Sequence, residues 1–268
     1  MRLASFQDGY PNLLAVLSPS PELMFQMGEA FRHLQLPEDA LKWYDRVLVK
    51  YPSSPVREES IARKVLTAAE IQDEAVVQEA GQQYAKEYPE GRWIVDVSTH
   101  LGKLALQQQQ FTAAQQHYGV VLAHATDEDM RLRVRRRLLR IQQQAGDIDK
   151  AIQGYHDLIQ DKVATDDDRL MYADLLFDAG RISNASQEYE QLVKEIDSPK
   201  GKLWAQYRLA VSYRAQGKVD ASKSMLAQLM TSDDLKGEFG SAVRAAAAAQ
   251  QMEIRLVATE EIREKNKK

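Results

Sequence analysis

With 268 residues, 28% of them charged, few glycines and prolines and no cysteine, the chain has the composition of long water-facing helices and excludes disulfide and thiolate chemistry. A net charge of −4 is too mild to name nucleic acid or an anionic membrane as a partner. The apolar run Leu13 to Leu17 is too short for a membrane span or a secretion-signal core.

Residues 1–20, with Gly9-Tyr10-Pro11 and Ser18-Pro19, read as an irregular lead-in. Ser20-Pro21-Glu22 then supplies an N-cap, a proline at the first helical position and an early acid, which together open a helix. Ser54-Pro55 and Ser198-Pro199 repeat that opening, and Thr126 and Thr165 stand as capping hydroxyls before acidic runs. Gly146, Gly180 and Gly217 fall where a first helix ends, and Pro37 starts a second helix in the first unit. An alanine followed four residues later by tyrosine recurs at Ala40/Tyr44, Ala114/Tyr118, Ala151/Tyr155 and Ala185/Tyr189. Steps of about 37 residues, with one of 34, also pass through Val77/Gly81 and Ser222/Leu226. A small residue and a ring at i, i+4 share a helix face, and a period of this length is a solenoid signature. Six helix-turn-helix units follow: 21–54, 55–90, 91–126, 127–164, 165–198 and 199–232. The rings are expected in the core, closing the groove between neighbouring helices. Residues 233–262, with Ala245 to Ala249 at their centre, read as a long capping helix, with dimerisation through its alanine strip as the alternative; 263–268 is a polar tail.

At these positions the chain resembles the tetratricopeptide repeat family. The first unit carries Met27-Gly28-x2-Phe31, Ala40-x3-Tyr44 and Pro52; the third carries Leu101-Gly102-x2-Ala105 and Ala114-x3-Tyr118; the sixth carries Leu209-Ala210-x2-Tyr213. The family tryptophan is missing from its usual place, and Val77/Gly81 and Ser222/Leu226 depart from the pair. Lys50-Tyr51-Pro52 and Glu87-Tyr88-Pro89 resemble the longer repeats of bacterial envelope and Tol-Pal-associated members. The resemblance implies an all-α, right-handed α-solenoid of about six repeats with a C-terminal capping helix, whose first helices line a concave surface and bind protein or peptide without catalysis. It leaves the compartment open: cytoplasmic from the chain as it stands, or envelope if the chain is a fragment of a longer protein.

No motif for catalysis, a cofactor or a metal is present, and His33, His100, His117, His124 and His156 form no ligand pair. The outstanding local feature is Arg131, Arg133, Arg135, Arg136, Arg137 and Arg140, six arginines in ten residues of an acidic chain. The ladder register, taken with the resemblance, places Arg133, Arg136 and Arg140 on the inner face, where guanidinium forks suit carboxylates or phosphates. An acidic peptide is the expected ligand. Pairing within the chain, Arg133 with Asp167 and Arg140 with Asp174, competes with that reading, and nucleic-acid contact is a weaker third. Arg131, Arg135 and Arg137 are expected on an outer or packing edge. Lys103, beside Asp96 and His100, extends the basic lining, and Trp204, Tyr207 and Arg214 form a second candidate groove cluster, with core burial of Trp204 as the competing reading. The runner-up function is a structural subunit that forms homo-oligomers through its convex face or C-terminal helix.

Overall fold

The helices start and stop where side chains or turns can satisfy their open ends. The computed structural model describes residues 19–231 and 237–265. Among these lie thirteen α-helices and no strand: α1 (Pro21–His33), α2 (Pro37–Lys50), α3 (Arg57–Glu70), α4 (Glu74–Glu87), α5 (Ile94–Gln107), α6 (Phe111–His124), α7 (Glu128–Gln144), α8 (Ile148–Gln160), α9 (Asp166–Asp178), α10 (Ile182–Glu195), α11 (Pro199–Ala215), α12 (Val219–Thr231) and α13 (Gly237–Lys265). The fold is an all-α repeat solenoid. The lead-in expected over 1–20 lies outside the described residues except for 19 and 20, as do 232–236 and the last three residues of the polar tail.

Ser20 and Ser198 cap α1 and α11 as the sequence predicts, and Thr165 closes a reciprocal capping box with Asp168. Two starts differ. Ser54 caps no helix: its hydroxyl accepts from the Val56 amide, and α3 begins at Arg57. At α7 the cap is Asp127 and not Thr126, because the Asp127 carboxylate accepts the Met130 amide at 2.6 Å.

Every first helix is followed by one residue in the left-handed region: Gln35, Gln72, Gln109, Gly146, Gly180 and Gly217. The three glycines adopt it without a Cβ penalty; the three glutamines hold φ of 57° to 60° against one. A common register follows. The backbone amides of Ala40, Val77, Ala114, Ala151, Ala185 and Ser222 each bond the carbonyl four residues back, at Leu36, Asp73, Gln110, Asp147, Arg181 and Lys218. All six are buried, as are the rings of Tyr44, Tyr118, Tyr155 and Tyr189. The family glycine is required by these rings, since a Cβ on Gly28 or Gly102 would sit 2.5 or 2.9 Å from Tyr44 or Tyr118.

The break in the ladder at Gly81 has a packing solution. Leu101 of α5 approaches so closely that a Cβ on Gly81 would lie 2.7 Å from it. The missing ring appears three residues later as Tyr84, fully buried in the slot filled elsewhere by Val47, Val121, Leu158 and Leu192.

Packing divides the chain into two compact units, Met1–Ala145 and Gly146–Lys268. In the first, α1 to α7 pack each on the next; in the second, α8 to α13 do the same. Here α13 caps the last pair: Val243 packs with Leu203 and Leu229, and Ala247 and Ile254 with Ala210 and Leu226.

Candidate binding surface

The first helices carry the polar side chains that the buried ladder leaves facing outward. In the first unit, Lys103 of α5, Tyr118 of α6 and Arg133, Arg136, Arg137 and Arg140 of α7 line one open cavity of about 370 Å³. Four of the sequence-predicted residues therefore converge: Lys103, Arg133, Arg136 and Arg140. Arg137 joins them, contrary to the outer-edge expectation. Its guanidinium donates to the Tyr118 hydroxyl at 2.7 Å and lies 5.3 Å from the centre of that ring. Arg131 does take a packing-edge position, donating to the carbonyls of Leu122 and Ala125.

Arg133 and Asp174 each have partners within their own compact unit. Arg133 reaches Asp127 at 3.9 Å, an exposed pair worth at most about 1 kcal/mol. In the second unit Asp174 is held by Tyr189, by the Trp204 indole at 3.0 Å and by Arg208 at 2.7 Å.

On the other side of α5 a smaller cleft of about 220 Å³ is lined by His100, Lys103, Gln72 and Glu74. Burial, and then the charge of Lys103, lower the His100 pKa against the opposing pull of Asp96 and Glu70. The imidazole is therefore biased towards its neutral form. Lys103 is shared by both clefts and is the cation that joins them.

The second candidate cluster falls in the other compact unit. Trp204 and Tyr207 pack with ring centres 5.6 Å apart and planes tilted by 39°, and Trp204 is half-buried, between the open hot spot and the core residue that the sequence allows. Arg214 is committed to the cap: it donates to Gln250 and pairs with Glu253 of α13 at 2.6 Å. The centre of this region is Arg208, a residue the sequence pattern does not single out. It donates to Asp174, Tyr189 and Asp178, and its guanidinium lies 4.3 Å from the Phe177 ring centre and 5.8 Å from that of Trp204. Burial alone would lower its pKa, but Tyr189, Asp174 and Asp178 reverse the sign and raise it. No local periodicity announces such a residue, because its partners lie on two other helices.

A matching network sits at the start of the chain. Glu29 accepts from Tyr44 and from Arg32, with Arg63 3.6 Å away. Burial pushes the Glu29 carboxyl up, yet the hydrogen bonds from Tyr44 and Arg32 and the charge of Arg63 outweigh it and hold the group below the usual carboxylate range. Among the described residues no group of three or more His, Asp or Glu side chains is placed to hold a metal, and no helix is long and apolar enough to cross a membrane.

Comparison with known proteins bears on the repeat fold. A tetratricopeptide repeat-like domain model matches residues 56–161, and a tetratricopeptide repeat model matches 22–54 and 204–233. No curated protein sequence matches significantly. Among solved structures, a chain of the Naa15/Naa10 complex bound to HypK-THB aligns with a TM-score of 0.53 at 14% identity, over 87% of this chain and 34% of that one. PilF of Pseudomonas aeruginosa aligns with a TM-score of 0.44 at 16% identity, over 86% and 97% of the two chains. YrrB, described as a repeat protein with an unusual peptide-binding site, gives 0.43 at 10% identity over 91% and 97%. No catalytic family is indicated. With family matches over well more than half its length and the repeat register in every turn, the chain belongs to the tetratricopeptide repeat family, whose helical repeats serve as protein-interaction modules.

Proposed function

We propose that the protein is a non-catalytic scaffold that receives an acidic peptide segment on the face formed by α5, α6 and α7. The observation that carries this reading is the cavity lined by Lys103, Arg133, Arg136, Arg137 and Arg140 together with Tyr118, whose hydroxyl accepts from Arg137. Guanidinium forks grip carboxylates through paired charge-assisted hydrogen bonds, which favours an acidic segment over a neutral one. Exposed charges also raise the encounter rate with a ligand of opposite sign. Changing Arg133, Arg136 and Arg140 together to glutamate is expected to abolish binding of a labelled oligoglutamate peptide in fluorescence anisotropy. Retained affinity in that triple variant would sink the proposal. Nucleic acid is not the expected ligand, given the acidic net charge.

A second reading attaches to α13, where Met252, Leu256 and Val257 are 64%, 54% and 50% exposed. An apolar strip of this kind favours a homo-oligomer built through the final helix. Its mark would be a mass that rises with concentration in light scattering and falls back to the monomer in Leu256→Glu.

A further inference from the structure

The tyrosine ladder carries a second, polar register. Tyr44 donates to Glu29, 15 residues before it, and Arg63, 34 residues after Glu29, lies 3.6 Å from the same carboxylate. In the other compact unit Tyr189 donates to Asp174, again 15 residues before it, and Arg208, 34 residues after Asp174, donates to it at 2.7 Å. Two repeats thus build one device: a carboxylate that accepts a hydrogen bond from the ladder tyrosine and faces the charge of an arginine on the next first helix.

The same offsets run from residue 103. Tyr118 stands 15 residues on and Arg137 stands 34 residues on, with hydroxyl and guanidinium 2.7 Å apart. The residue at the origin is Lys103. Where the other two repeats hold an anion, this one holds a cation, and it opens on the cavity of about 370 Å³. Among the described residues of this compact unit, no carboxylate pairs with Lys103 or Arg137. The Tyr118 hydroxyl accepts from Arg137 and finds no acceptor for its own proton among them.

We infer that a carboxylate of the ligand occupies in this repeat the place that Glu29 and Asp174 occupy in theirs, receiving the Tyr118 hydroxyl, the Arg137 guanidinium and the Lys103 ammonium. This rests on the reading of the α5 to α7 face as the binding surface and gives it one defined contact. Glu29 and Asp174 act as built-in counterparts of that ligand group, closing their own repeats to it. The chain's own use of carboxylates at this position selects a carboxylate as the incoming group.

The test is Lys103→Glu, which supplies the missing anion from within. Its melting temperature is expected to rise by roughly 2–4 °C, since an internal carboxylate then pairs with Tyr118 and Arg137. Its affinity for the labelled oligoglutamate peptide is expected to fall about ten-fold or more, the loss of at least one charge-assisted contact. Tyr118→Phe keeps the buried ring and is expected to weaken binding several-fold with an unchanged circular dichroism spectrum. An amidated oligoglutamate and an oligoglutamine with a free C-terminus separate the two sources of carboxylate: binding by the first alone identifies side chains, by the second alone the chain terminus. Binding by neither peptide, or a Lys103→Glu protein that is no more stable and binds as before, overturns the inference. If that last result is found while the triple arginine variant has lost binding, the basic face stands and only the carboxylate contact falls.

Discussion

Arg208 and Arg137 hold the same place in two repeats and differ in their company. Arg208 is 15% exposed, stacked on aromatic rings and bonded to two aspartates and a tyrosine. Arg137 has the tyrosine and its ring, and no carboxylate partner among the described residues of its own compact unit. The scaffold around both is alike, so a single residue 34 positions upstream, Asp174 or Lys103, decides whether the arginine holds the fold together or is presented to a partner. Function in this array is written as a departure from a structural template.

Experiments that break or sharpen this contrast begin with the rings both repeats share. Tyr118→Ala and Tyr189→Ala should each cost about 3–5 kcal/mol in chemical denaturation, because both remove a fully buried ring that packs two helices. Equal losses there confirm the common core. The arginines should then separate. Arg208→Ala should cost about 3 kcal/mol, since it strips a shielded carboxylate of its countercharge, whereas Arg137→Ala should stay within about 1 kcal/mol. Equal losses would end the distinction between a structural and a presented arginine.

The turns give a smaller effect of opposite sign in the two units. Gln109→Gly should stabilise by about 1 kcal/mol, by removing the Cβ that a left-handed backbone resists, and Gly180→Ala should destabilise by about as much. Thermal melts of both variants decide it.

Smallest are the effects of two acids whose pKa values are shifted in opposite directions. Glu29 is held below the carboxylate range, so its contribution is present above the unfolded pKa of about 4.3 and fades as pH falls through the lower folded value. Glu188 is pushed up, first by burial and then by Glu195, against Arg169 and His156. Stability there falls as pH rises from the unfolded value through the raised one. At pH 7 Glu29→Gln should therefore lower the melting temperature and Glu188→Gln raise it, with both differences shrinking towards pH 3.

Much of the fold is legible in the sequence because its signals are local. The small residue and ring at i, i+4 give the register, and Gly146, Gly180 and Gly217 give three of the six turns. Gln35, Gln72 and Gln109 are silent because glutamine has no preference for a left-handed backbone to betray them. Tyr84 hides the second repeat's ring because the core slot it fills is three residues from the one the ladder uses. The site is half legible: Lys103, Arg133, Arg136 and Arg140 share a cavity as their charge and register suggest. Arg137 and Arg208 are not, since each is defined by a tyrosine and the residue at an origin 34 positions upstream. Only folding brings the three together. Arg214 is misplaced by the sequence for the same reason, as Gln250 and Glu253 lie a whole repeat further along the chain.

The six left-handed residues are also cut points. Gln35, Gln72, Gln109 and Gly146 are spaced by 37 residues, and Gly180 and Gly217 continue the series after one shorter step of 34. A segment removed between any two of the first four rejoins like with like, leaving every ladder position downstream in phase. Such a chain can gain or lose modules by unequal exchange without rewriting its core. A lysine swapped for an aspartate at one origin is then enough to turn a copied module from a strut into a receptor.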